Sequence, residues 1–265
     1  GRYGTPYRAM KEAVERGEIG TPLRVSTYGK CDHRGGGEDL MTLGTHLLDL
    51  MIFFFGDPVG VRAELYTGGA PALKSERTKT VEEIGPCAGE ELFAEFRFAN
   101  GVRGTFESRR GLFHYDGGMQ TNMGLSVTGT KGILSERFTD GLPDDPVRIC
   151  RTPYPAEYGV PFELFPVQET RTVPGAVPMD DFVRTVPGIP HTQFFIGANH
   201  FAAWDLIRAI EEDRLPVSNI YNARKTLEMI YGIYASHLKA GARVEFPLRN
   251  REHPLESEPG EESSR

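Results

Sequence analysis

The chain has 265 residues, 39% of them hydrophobic and 25% charged, with a net charge of −7. This is the composition of an ordinary globular protein. No basic patch with interleaved aromatics is present, which argues against a nucleic-acid partner. No apolar run approaches the roughly 20 residues of a membrane span, and Asp49 interrupts the longest, Leu47 to Phe55. The cysteines Cys31, Cys87 and Cys150 are odd in number and widely spaced, which speaks against a disulfide framework and for a reducing, cytoplasmic compartment.

The elements follow in chain order. Thr5-Pro6 opens a first helix, threonine at the N-cap and proline in the first turn. Ala9, Met10, Ala13 and Val14 form its apolar stripe, and Gly17 ends it. Leu23 to Tyr28 reads as a strand with Leu23, Val25 and Thr27 on one face. A glycine triplet, Gly35-Gly36-Gly37, then leads into one long apolar helix that starts at Glu38 or Asp39 and stops at Gly56-Asp57-Pro58. Glycines there allow a tight turn or a close approach of backbone to a ligand.

Strands dominate from Val59 to about Arg151. Leu92 to Phe98 and Val102 to Ser108 flank Asn100-Gly101, a hairpin signal. Gly124 to Val127 and Gly132 to Glu136 flank the turn Thr128 to Lys131, and Val147 to Cys150 reads as an edge strand. Hairpin connections imply antiparallel pairing. Residues 153–190 are proline-rich and aperiodic, a long loop. Phe194 to Glu212 and a helix capped by Ser218 or Asn219 and ended near Gly241 follow, and Ala242 to Leu248 closes as a short strand. The order predicts an α+β domain, a large open, mostly antiparallel sheet with helices on one face. Five glutamates against two arginines from Arg251 to Arg265 read as a disordered acidic tail.

His46 is the residue of greatest chemical interest. On a continuous helix Thr42, His46 and Asp49 share one face. A carboxylate such as Asp49 would orient the imidazole and raise its proton affinity, giving a general acid or base. From residue types alone the ring reads rather as a core histidine satisfied by backbone or by Asp49. Lys30, Asp32, His33 and Arg34 form a polar loop after a strand end, suited either to hydroxyls and carboxylates of a substrate or to solvent. His114 to Gly118, His191, Asn199 and His200 are further polar candidates near turns and helix starts. Cys31-Asp32-His33 lacks a second ligand pair at metal-binding spacing, so no metal is expected. No G-x-G-x-x-G follows a strand, so the chain does not hold a dinucleotide by itself. It opens at Gly1 like the interior of a longer protein, so an upstream part is expected.

The glycine triplet followed by Leu43-Gly44-Thr45-His46-Leu47-Leu48-Asp49 resembles the central signature of the glucose-fructose oxidoreductase / inositol dehydrogenase family, written Gfo/Idh/MocA. Arg2-Tyr3 with Pro6, Gly17 to Gly20, Val127 to Gly132, Tyr234-Ala235-Ser236, Phe246-Pro247-Leu248 and His253-Pro254-Leu255 resemble other family pieces in the same order. The resemblance implies residues 1–250 as a substrate-binding and oligomerisation domain with a dihydrodipicolinate-reductase-like sheet. Residues 1–20 would be the crossover helix from a dinucleotide domain that lies upstream. It implies NAD or NADP, bound mainly by that upstream domain, and hydride transfer to or from a sugar- or cyclitol-like alcohol or ketone. His46 maps onto the catalytic histidine, while Lys30, His33, Arg34, Thr42, Asp49 and Asn199 are substrate contacts. Arg2 and Tyr3 would lie near the cofactor, and a homo-oligomer would form through the open sheet. Thr42 stands where relatives often carry an aspartate, and the family's catalytic lysine lies upstream of Gly1. The isolated chain is therefore expected to be inactive. Two other readings fit the scaffold: an NAD-dependent glycoside hydrolase, and a non-catalytic sugar-binding or oligomerising domain.

Overall fold

The computed structural model describes residues 1–112, 120–139, 147–155, 159–176 and 193–257. In chain order these form α1 (Thr5–Glu15), β1 (Pro22–Tyr28), α2 (Gly37–Met41), α3 (Gly44–Phe55) and β2 (Pro58–Thr67). The short pairs β3 (Ala70–Pro71), β4 (Thr78–Lys79) and β5 (Pro86–Cys87) precede β6 (Glu91–Phe98) and β7 (Arg103–Arg109). Then come β8 (Gln120–Gly129), β9 (Ile133–Thr139), β10 (Arg148–Cys150), β11 (Glu163–Leu164), α4 (Gln193–Glu211), α5 (Ile220–Leu238) and β12 (Val244–Glu245). The fold is α+β, with open, mostly antiparallel sheet, as the sequence predicts. By internal packing the chain forms two compact units, residues 1–23 with 115–223, and residues 24–114 with 224–265. Among the described residues no helix is long and apolar enough to cross a membrane.

The first unit begins with α1. Gly4, not Thr5, is its N-cap, and no side chain caps it, because the Thr5 hydroxyl is turned to the Glu169 carboxylate. Tyr7, Met10 and Ala13 form the buried stripe. Gly17 at φ +76° closes the helix, with the Glu18 N–H donating to the Ala13 carbonyl at 3.0 Å. Ile19 and Thr21 then dock on the β8–β9 turn: Lys131 N–H donates to the Ile19 carbonyl (2.8 Å) and Thr130 N–H to that of Thr21 (3.0 Å). Strands β8, β9, β10 and β11 pair antiparallel in that order. β10 is thus flanked on both sides, since Glu163–Leu164, inside the expected loop, supplies an outer strand. The Asn219 side chain accepts from the N–H groups of Tyr221 (3.0 Å) and Asn222 (3.3 Å), capping α5 as its sequence predicts.

In the second unit the order is β1-β7-β6-β2-β12. β1 runs parallel to β7, an exception to the expected antiparallel pairing. It arises because the chain returns to β1's neighbour through α2, α3 and strands β2 to β6 rather than a hairpin. Val25 and Thr27 are buried, but Leu23 is exposed. Asn100-Gly101 makes the β6–β7 turn, with Gly101 at φ +86° and Val102 N–H donating to the Asn100 side chain (3.2 Å). The registers place Val61, Phe96 and Gly104 abreast, then Ala63, Ala94 and Phe106, then Leu65, Leu92 and Ser108. All of these are buried, so one face of the sheet is the core face. Both helices cover it. Met51 of α3 lies against Gly104 (3.0 Å from the position a Cβ would take), and Val61 likewise lies against Gly232 of α5 (3.1 Å). Phe96 and Phe106 are both 0% exposed, and such a ring contributes roughly 1.5–3 kcal/mol by burial. On the other face Arg62, Arg97, Arg103 and Glu107 stand in solvent.

The tail expected to be disordered is packed as far as Ser257, and residues 258–265 lie outside the described ones. Leu255 is buried, and the Arg77 guanidinium donates to its carbonyl (2.8 Å). His253 is buried between the Tyr231 and Tyr234 rings (centroids 4.8 and 5.5 Å away). Its Nδ1 accepts from the Leu255 N–H (3.2 Å), so Nε2 carries the proton, and Nε2 has no partner among the described residues. Burial holds the His253 pKa below its ordinary value, aided by Lys74 and opposed by Glu256. Below about pH 6.5 the unfolded chain therefore binds more protons than the folded one. Stability is whole above that pH and falls as the pH drops. Urea unfolding is expected to give a lower midpoint at about pH 5.5 than at about pH 7.5, with a smaller difference in His253→Gln. An equal drop in the variant would remove His253 from the explanation.

Candidate functional site

The glycine triplet approaches the protein's own strands. A Cβ on Gly35 would overlap the Arg109 carbonyl, and one on Gly37 the Ala88 carbonyl. On Gly36, at φ +81°, it would lie 2.5 Å from the Gly89 oxygen. Three residues without side chains thus seat one backbone directly on two others. Gly36 N–H donates to Ser108 Oγ (2.9 Å) and Gly37 N–H to the Gly89 carbonyl (3.0 Å).

The long helix expected after the triplet is two helices. α2 ends at Met41, and Thr42 leaves helical geometry at φ −96°, ψ −91°. The Thr42 hydroxyl donates back to the Glu38 carbonyl (3.0 Å), and the Thr45 hydroxyl to that of Thr42 (2.6 Å). Such side-chain bonds compete with the regular helical ladder. Gly44 completes the break, since its Cβ would lie 3.1 Å from both the Asp39 carbonyl and the Phe106 ring. Thr42 and His46 therefore do not share a continuous helix face. The Thr42 hydroxyl is a cap rather than a free polar neighbour.

His46 is the third residue of α3. Asp49 follows on the same helix and is half-buried, while His46 is exposed. No described residue hydrogen-bonds the His46 ring, so the core-histidine reading does not hold. Solvent reaches the ring, yet protein atoms crowd it enough for desolvation to lower its pKa, with the Asp49 charge acting the other way. The first turn of a helix also disfavours the imidazolium. The neutral ring at neutral pH can accept a proton.

The loop before the triplet gathers Lys30, His33 and Arg34 around Asp32, which is buried. Arg34 donates to Asp32 through Nη2 (3.0 Å), Nε (3.4 Å) and its backbone N–H (2.9 Å). Lys30 Nζ lies 3.6 Å and His33 Nδ1 3.9 Å from the same carboxylate. Burial alone would raise the Asp32 pKa, but the Arg34 bonds and the Lys30 charge hold it below the usual range. Arg34 is thus largely committed to Asp32, whereas His33 projects into solvent.

Beneath this loop lies Asp39, 1% exposed, which sequence reasoning took only as a helix-start acid. Its Oδ2 accepts from Ser108 Oγ (2.6 Å) and the Cys31 N–H (3.4 Å). Its Oδ1 is buried with no partner among the described residues. Burial raises the Asp39 pKa, opposed by its bonds from Ser108, Cys31 and Lys30. An acid pair after three glycines, its second member Asp39 next to an apolar run, is the only signal in the sequence.

Asn199 is exposed on α4 of the first unit. Tyr3, also in the first unit, donates to Asp205 (2.7 Å) and accepts from the Ser218 N–H (3.1 Å). Burial and the bond to Asp205 push its pKa up to about 12, against the Ser218 bond. Arg2 is buried. His114 to Gly118 and His191 lie outside the described residues. Among the described residues no group of three metal-ligating side chains occurs.

Asp39→Asn keeps an oxygen for the three donors and removes the charge. A raised carboxyl pKa confers stability at low pH that is lost as the pH rises through the folded value. The variant is therefore expected to gain stability relative to the parent between about pH 4 and about pH 8, measured by urea unfolding. A difference independent of pH would contradict the raised pKa.

Residues 7–135 match the sequence profile of the GFO/IDH/MocA C-terminal domain. No curated protein matches the chain. Among solved structures, a levoglucosan dehydrogenase in complex with NADH and levoglucosan is 20% identical at a TM-score of 0.59, over 92% of this chain and 64% of that one. An oxidoreductase from Agrobacterium radiobacter, in complex with NAD+, L-tartaric acid and magnesium, is 13% identical at 0.58, over 92% and 62%. An oxidoreductase domain protein from Kribbella flavida is 18% identical at 0.60, over 93% and 64%. The chain spans about three fifths of the length of these proteins, and at such identities the likeness is one of fold. Residues 7–135, just under half of the chain, thus carry the likeness to the GFO/IDH/MocA C-terminal domain.

Proposed function

We propose that this chain is the substrate-binding part of an NAD- or NADP-dependent oxidoreductase acting on a sugar- or cyclitol-like alcohol or ketone. The single observation that carries this reading is His46: a neutral, solvent-reachable imidazole without a protein hydrogen-bond partner among the described residues, on a rigid helix start. The nicotinamide, held mainly by a further domain, supplies or takes the hydride. This chain's own groups manage the proton. In oxidation a His46 ring nitrogen accepts the hydroxyl proton as hydride leaves the carbon, and in reduction it returns that proton to the oxygen. Asp49, one turn on, favours the resulting imidazolium.

Lys30 and His33 are the substrate contacts of this reading, with Arg34 holding the loop through Asp32. Thr42 supports the start of α3, Asn199 adds a polar contact from α4, and Arg2 and Tyr3 belong to the cofactor side. A homo-oligomer through the open sheet and a cytoplasmic location complete the proposal. The polar face carrying Arg62, Arg97, Arg103 and Glu107 supports the first of these, because mixed charges can pair across a two-fold axis.

The test is turnover by the complete polypeptide with NAD and with NADP over a panel of sugars and cyclitols, read as reduced nicotinamide. His46→Ala is expected to lower kcat roughly 100- to 10,000-fold. An unchanged rate would overturn the assignment, and net hydrolysis without reduced cofactor would favour a glycosidase.

A further inference from the structure

The first unit holds a cleft of about 230 Å3 that the proton chemistry of His46 does not use. Among the described residues Arg2, Arg8, Arg171, Arg208 and Arg214 line it with one acid, Asp205, and Arg2 already has a contact of its own. Asp205 is saturated. Its Oδ2 accepts from the Tyr3 hydroxyl (2.7 Å) and the Val217 N–H (2.7 Å), and its Oδ1 from Arg214 (2.8 Å). Burial alone would raise the Asp205 pKa, but these donors hold it below the usual range, so it stays an anion committed to the wall.

The other acids that touch these arginines are not part of the lining. Glu169 pairs with Arg171 (2.7 Å), Glu211 with Arg208 (2.7 Å), and Glu212 with Arg208 and Arg214. They hold Arg171, Arg208 and Arg214 in place. Arg8 reaches only Glu12, at 4.0 Å and largely in solvent, a pairing worth little. Arg171 is the most fixed: Nε and Nη2 donate to Glu169, Nη2 also to the Tyr3 carbonyl (2.7 Å), and its Cζ lies 3.6 Å from the Phe201 ring centroid. Its Nη1 has no partner among the described residues. Phe201 and Trp204 add flat apolar walls.

Convergent guanidiniums recognise planar carboxylates and phosphates, and aromatic walls recognise a flat ring. The volume is below the roughly 300–1,000 Å3 of sites for drug-sized ligands, which limits the guest to about one ring. We propose that this cleft is a binding site for a small anion carried on a single flat ring, a carboxylate or a phosphate monoester. The site is built wholly from the first unit and shares Arg2 and Tyr3 with the cofactor side of the proposed function, so displacement by NAD+ tells the two readings apart.

Isothermal titration of the chain with phenyl phosphate, benzoate, inorganic phosphate and benzyl alcohol tests it. Phenyl phosphate or benzoate is expected to bind one per chain and at least roughly tenfold more tightly than benzyl alcohol, the scale of one charge-assisted contact. Which of the two binds tighter distinguishes phosphate from carboxylate. Arg8→Ala, an exposed change that spares the fold, is expected to weaken anion binding about tenfold. Phe201→Leu is expected to remove the advantage of phenyl phosphate over inorganic phosphate. The proposal is overturned if neither ring anion binds more tightly than benzyl alcohol, or if Arg8→Ala leaves the affinity unchanged. It is overturned equally if NAD+ displaces phenyl phosphate, because the cleft would then belong to the cofactor.

Discussion

The second unit depends on a steric constraint: between the end of β7 and the 88–90 segment there is no room for three consecutive β-carbons. Gly35, Gly36 and Gly37 meet that constraint, and their backbone rests directly on the carbonyls of Arg109, Gly89 and Ala88. Where α2 starts follows from this seat. So does the depth at which Asp39 is buried, and through the break at Thr42 so does the place where α3 begins and presents His46. An alanine within the triplet would push α2 off the sheet and carry the loop of Lys30 to Arg34 with it. The glycines act on the candidate site by placing the elements around it.

Two acids of this segment show how burial and partners compete. Asp32 and Asp39 are both nearly inaccessible. Asp32 has a guanidinium against it and stays ionised. Asp39 has hydroxyl and amide donors on one oxygen and nothing described on the other, so burial wins and its proton is held more tightly. Desolvation is deeper at Asp39, and a full opposite charge stands against Asp32, so the two pKa values move in opposite directions. A loop carrying Lys30 and Arg34 therefore rests on one firmly ionised carboxyl and one that holds its proton more tightly.

Much of the fold was legible from local pattern. The Asn100-Gly101 hairpin, the strands around it, the caps of α5 and the two long C-terminal helices lie within a residue or two of their predicted places, because each rests on turn chemistry or periodicity over a short window. The candidate site was legible in position and less so in geometry. His46 was singled out, but Thr42 was placed on its helix face by assuming an unbroken helix. Threonine hydroxyls that bond back to the main chain, and a glycine needed against Phe106, ended that helix. Asp39 drew no attention, since an acid in a first helical turn is ordinary until its burial is known. Arg34 read as a free anchor because nothing local showed that Asp32, two residues away, would take it.

The sequence by itself determined the type of nearly every element and the segment that carries the candidate histidine, His46. These depend on residue chemistry and spacing along a few turns of chain. Only the tertiary structure decided that β1 pairs parallel with β7, that the helix breaks before His46, that Asp39 is buried and that His253 and Leu255 hold the tail against α5. It alone decided that five arginines distant in sequence line one cleft. The physical reason is common to all five: each depends on atoms far apart in the chain, whose approach is set by packing and by the exclusion of water, and neither leaves a periodic trace in the residues themselves.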